Sequence, residues 1–170
     1  MSNITTSQTI GPFPHEAWAW AVELTARVDS SAPQVKISGA ILDGDGLPIN
    51  DAWAEAWLPG SAGAETSHAI PGYRRVPTDE EGKFTFSISQ PQPPAGKPVA
   101  YVTVFARGLV KHQFSAVFLE DDPALAQSAL LEQVPADRRD TLIARKQPDG
   151  SYLWNIHMQG ARETVFFDYI

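Results

Sequence analysis

One hundred and seventy residues, 43% hydrophobic and 19% charged, describe a globular chain long enough to bury a core. A net charge of −7 leaves no cationic stripe to follow a phosphate backbone and argues against nucleic acid as a partner. The absence of cysteine excludes disulfides and thiolate chemistry. No signal-like segment opens the chain, and no apolar run nears the ~20 residues of a membrane span, so a soluble cytoplasmic domain is expected.

Residues 1–29 read as an irregular N-terminal arm, because Gly11, Pro12 and Pro14 break any regular pattern. Trp18 and Trp20 then have no element of their own and should lie across a surface, that of this domain or of a neighbour. From Val35 the chain turns to short alternating strands. Val35–Leu42 leads into the turn Asp43-Gly-Asp-Gly46, whose residues tolerate positive φ. Ala52–Trp57 follows, with Glu55 on the face of Trp53 and Trp57, where a carboxylate needs an ionic partner.

Lys83–Ser89 alternates Phe84, Phe86 and Ile88, and the proline-rich loop Gln90–Pro98 delivers the chain into Val99–Ala106. That continuous apolar run predicts a strand buried on both faces. Gln113–Leu119, Tyr152–Met158 and Glu163–Asp168 are further strands. A helix is predicted over Ala124–Val134, capped by Asp122 and opened by Pro123, with a shorter one over Asp137–Arg145. Capping explains Glu120-Asp-Asp122, and Arg74-Arg75 reads as solvated or interface charge. The fold class is mainly β: one sandwich domain spanning residues 1–170, with a short helical excursion and the irregular arm.

Three stretches carry more specific information: Thr6-Ser-Gln-Thr-Ile-Gly-Pro-Phe13, Val104-Phe-Ala-Arg-Gly108 and Glu163-Thr-Val-Phe-Phe-Asp-Tyr169. With the Val35–Trp57 hairpin and Asp140–Lys146 they resemble the intradiol ring-cleaving dioxygenases, in particular the α chains of the heteromeric, protocatechuate-cleaving members. Iron-bearing chains of that family hold Fe(III) with two tyrosines and a His-x-His pair. The positions of that pair read Val99 and Tyr101 here, and the loops Leu58–Pro71 and Gln90–Pro98 contain no tyrosine. His15, His68, His112 and His157 are scattered, with no two at metal spacing.

The resemblance therefore implies no metal and no catalytic residue in this chain. It implies a partner β chain that carries the Fe(III), protocatechuate and O2 as substrates, 3-carboxy-cis,cis-muconate as product, and a higher-order αβ oligomer. It further implies that Thr9, Pro12, Phe13 and Arg107 bind substrate from this side. Their chemistry suits the task. Gly11-Pro12 fixes a bend, Thr9 offers a compact donor and acceptor, and Phe13 can wall an aromatic ring. Arg107 ends an apolar strand, where a guanidinium can grip a carboxylate with two parallel hydrogen bonds or else pair with an acidic side chain. The competing expectation is a β-sandwich module that binds a small apolar ligand without catalysis. A hydrolase lacks its G-x-S-x-G elbow.

Overall fold

The structure is a computed structural model that describes residues 6–26, 34–60, 63, 65–89 and 94–168. Helix α1 covers Pro14–Ala26, and strands β1 to β4 cover Gln34–Leu42, Trp53–Trp57, Tyr73–Pro77 and Lys83–Ser89. Strands β5 (Ala100–Phe105) and β6 (Gln113–Leu119) precede a short helix α2 (Ala129–Glu132). Strands β7 (Ile143–Lys146), β8 (Tyr152–Leu153) and β9 (Ile156–His157) close the described order.

The hydrogen-bonded path runs β3-β2-β5-β6-β7-β8-β1-β4, with β9 added to β1. Antiparallel pairing dominates; β6–β7, β1–β8 and β1–β9 are parallel. The path folds over itself. Ile37, Ile41, Phe84, Phe86 and Ile88 of β1 and β4 share one core with Ala54, Ala56, Val102 and Val104 of β2 and β5. This is the expected mainly-β sandwich, and its alternating strands form for the expected reason: each has one apolar face to bury. Close approach is tightest at Gly39, where an added Cβ would sit 1.7 Å from the Trp154 carbonyl oxygen.

A second apolar cluster lies on the outer face of the sheet. Ala116 and Phe118 of β6 are covered by Leu131, Val134 and Leu142, with Tyr101, Leu125, Val165 and Phe167 around them. Strand β5 is accordingly not buried evenly on both faces. Ala100, Val102 and Val104 are buried between the layers, while Tyr101, Thr103 and Phe105 are only half covered.

Four other expectations need correction. The irregular arm ends at Phe13, because Pro14 starts a 13-residue helix carrying Trp18 and Trp20. Proline is at home in a first helical turn, Ala17, Ala19 and Ala21 favour helix, and Trp18, Ala21, Val22 and Thr25 fall on one stripe. The predicted long helix after Pro123 is broken: a 3-10 turn over Leu125–Gln127 precedes α2, whose N-cap is Ser128. Asp122 instead accepts from Ala124 N at 2.9 Å and Gly96 N at 2.7 Å, so its carboxylate ties two loops together.

Asp137–Arg145 holds only a 3-10 turn, Arg139–Leu142, before β7 pairs with β6. Glu163–Asp168 forms no ladder, although Thr164, Val165 and Phe167 bond individually to His157, Thr141 and Phe114. Among the described residues, no helix is long and apolar enough to cross a membrane.

Candidate functional site: the arm and the end of strand β5

Strand β5 ends in a turn in which Leu109 N donates to Ala106 O at 3.2 Å, with Gly108 at φ +95. Positive φ at the third position is the signature of a type II turn and explains the glycine. The turn lifts Arg107 off the sheet, leaving its side chain 63% exposed. Gly108 N donates to Thr9 Oγ1 at 2.9 Å, a bond across 99 positions of sequence that docks the arm onto this turn. Two of the motifs singled out from sequence thus meet at one corner.

Gly11, at φ +79, bends the arm toward α1. Phe13 lies just before the helix, and its carbonyl accepts the first helical hydrogen bond from Ala17 N at 3.1 Å. The Phe13 side chain is 69% exposed, unusual for a phenylalanine, and Pro12 beside it is exposed as well. The structure therefore brings Thr9 against Arg107-Gly108 and leaves Pro12, Phe13 and Arg107 facing outward. The cleft beside them, lined by Ile10, Phe105, Leu109 and His112, holds about 90 Å³. Small-molecule pockets run from roughly 300 Å³ upward, so this cleft is too small to enclose such a ligand.

Sequence reasoning missed Asp51. The β2–β5 register sets Trp53 opposite Phe105, and continuing it two residues outward sets Asp51 opposite Arg107. Arg107 Nε lies 2.9 Å from Asp51 Oδ2. Only the pairing of two strands far apart in sequence could have revealed the contact.

Behind the corner, helix α1 is fastened to edge strand β3. Thr25 Oγ1 accepts from Arg75 N at 3.0 Å, and the Arg75 guanidinium lies 4.4 Å from the Trp18 ring centre. Arg75 also donates through Nε to Glu55 at 2.8 Å, the partner that Glu55 was expected to need. Arg74 is not a solvated charge. It is buried and paired with Glu65, which also accepts from Ser89 Oγ at 2.7 Å and Gly72 N at 2.8 Å. Burial raises the Glu65 pKa, but its donors, Arg74 first, outweigh burial and leave it at about 2.

The acidic run after β6 has a role beyond capping. Glu120 pairs with Arg145, while Asp121 accepts from Lys146 Nζ at 2.6 Å and from Tyr152 Oη at 2.6 Å.

A ferric centre needs donors that converge, and the described residues do not supply them. Val99 packs into the inter-layer core, whereas Tyr101 stacks on Phe114 at 5.9 Å in the outer cluster. Burial pushes the Tyr73 and Tyr152 phenols up, with Glu55 and Asp121 adding to it. Among the described residues, no three His, Cys, Asp or Glu are grouped to hold a metal ion. The described residues do not group the donors that a ferric ion needs.

No protein-family model matches the chain. Among curated proteins it is 30% identical to the protocatechuate 3,4-dioxygenase alpha chain of Burkholderia cepacia, over 96% of this chain and 96% of that one. The alpha chain of Pseudomonas putida is 28% identical over 97% and 96%. The beta chain of the Burkholderia cepacia enzyme is 24% identical over 82% of this chain and 66% of its own length. Among solved structures, the dioxygenase domain of a carbohydrate-binding fusion protein from Streptomyces sp. SirexAA-E superposes with a TM-score of 0.57. It is 20% identical, over 79% of this chain and 86% of that one. Catechol 1,2-dioxygenase from Acinetobacter sp. ADP1 gives a TM-score of 0.55 at 17% identity, covering 79% of this chain and 55% of its own. These two likenesses are of fold. The full-length identity to the Burkholderia cepacia alpha chain places this chain in the protocatechuate 3,4-dioxygenase α-chain family of the intradiol ring-cleaving dioxygenases.

Proposed function

We propose that this subunit binds no iron itself and closes the substrate pocket of an iron-bearing β-type chain, using Thr9, Pro12, Phe13 and Arg107. The observation that carries the reading is the docking of the arm on the β5 turn, with Thr9 accepting from Gly108 N at 2.9 Å. It sets Thr9 beside the turn that carries Arg107, with Pro12 and Phe13 exposed further along the same arm. The substrate is protocatechuate, an aromatic diol with a ring carboxylate, and the second substrate is O2. The ring-opening chemistry, ending in 3-carboxy-cis,cis-muconate, belongs to the ferric ion of the partner.

Each residue has a task set by its chemistry. Phe13 offers an apolar face to the aromatic ring. Thr9, already fixed as an acceptor, keeps its hydroxyl proton to donate. Arg107 presents an exposed guanidinium to the carboxylate, and such charge-assisted pairs are about twice as strong as neutral hydrogen bonds. The divergent fates of Val99 and Tyr101 support a chain without its own iron.

Expression alone and together with its β chain tests the reading. Alone, the protein should purify colourless and without stoichiometric iron. Together, the two should form a stoichiometric complex that absorbs in the visible, where tyrosinate-bound ferric iron does, and that consumes O2 with protocatechuate. A protein that stays apart from that chain and binds an apolar ligand unaided would establish the binding-module alternative instead.

A further inference from the structure

We infer that Asp51 is a positioning residue for substrate recognition, holding Arg107 in the orientation that meets the substrate carboxylate. The inference deepens the function proposed above and rests on it. A side chain that is 63% exposed at a turn has many rotamers, and fixing one costs conformational entropy. An arginine that must wait in one geometry for a ligand therefore needs a second anchor. Asp51 supplies it through Nε, 2.9 Å from Oδ2. Nε is one of several guanidinium donors, and the exposure of the side chain leaves others for a carboxylate.

Asp51 is itself held. It immediately precedes Ala52, whose N–H donates to Thr78 Oγ1 at 3.1 Å and whose carbonyl accepts from Thr78 N and Oγ1, both at 2.9 Å. His15 Nε2, one residue into α1, stands 3.3 Å from the same carbonyl. The Asp51 side chain is only 23% exposed, so its carboxylate lies nearer the sheet than the arginine it grips. The result is a chain of fixed parts: α1 and Thr78 hold Ala52, the strand entry holds Asp51, and Asp51 holds Arg107. Thr9 secures the neighbouring Gly108 from the other side. An exposed ion pair adds little to stability, so positioning and not stabilisation is the role this pair is fitted for.

The test uses the complex with the β chain and reads steady-state kinetics with protocatechuate. Asp51→Ala should raise KM about fivefold at nearly constant kcat, with an unchanged melting temperature. Asp51→Asn retains an acceptor at the same length and should recover most of the loss. Competition by 4-hydroxybenzoate should weaken in Asp51→Ala, while competition by phenol, which lacks the carboxylate, should not. In an Arg107→Ala background, Asp51→Ala should have no further effect on KM. A KM rise that persists in that background would assign Asp51 a role apart from Arg107 and overturn the inference. So would an Asp51→Ala complex with parental KM. If Arg107→Ala itself leaves KM unchanged, the pocket reading falls along with it, whereas an Arg107 effect without an Asp51 effect removes this inference alone.

Discussion

Arg107 meets one of the two readings that its sequence context left open. The strand-end position allowed a carboxylate ligand or an acidic neighbour, and the structure supplies the neighbour, Asp51, 2.9 Å from Nε. Replacing Arg107 with Ala in the complex should raise KM for protocatechuate about tenfold or more, the worth of a charge-assisted hydrogen bond, with iron content unchanged. Glu65 makes the opposite case, a charge committed wholly to structure. Breaking a buried pair costs roughly 3–5 kcal/mol, so Glu65→Gln should lower the melting temperature markedly without touching KM at this corner. Its pKa of about 2 lies below its ordinary 4.5, so this stabilisation is full above that ordinary value. It should then decline as pH falls from about 4.5 toward 2, which thermal melts across that range would register.

Elements were legible from sequence where their pattern was local. The alternating strands β1, β4 and β6 and the turn before Pro48 stand where the apolar spacing and the Asp-Gly pairs put them. What escaped detection depended on distant contacts. Strand β7 exists because it pairs in parallel with β6, and the Asp122 carboxylate holds the Gly96 amide of a distant loop as well as the nearby Ala124 amide. Helix α1 was masked by its own start: Gly11, Pro12 and Pro14 suggested a break, yet Pro14 is a good first helical residue. The four residues proposed for the site came from motif resemblance; the pairing of one of them, Arg107 with Asp51, needed the sheet register.

At this scale Gly39→Ala should unfold the chain or cost several kcal/mol, because the Trp154 carbonyl at 1.7 Å from the new Cβ cannot move without opening β1. Trp18→Ala should free Arg75 from its ring contact and loosen α1, seen as faster amide exchange over Pro14–Ala26 with the sandwich amides unaffected.

Over the whole molecule, two apolar clusters share β5 and β6 as a common wall. The inter-layer cluster makes the sandwich. The outer one is built by the excursion between β6 and β7 and by the C-terminal segment. Installing imidazoles as Val99→His with Tyr101→His would send one ring toward the inter-layer core and the other against Phe114. The double variant should melt lower than the parent and still take up no ferric ion when iron is supplied during expression. Hydrophobic packing at these two positions thus sets the threshold for any redesign: a polar ring placed in either cluster would cost folding stability before it could gain a ligand.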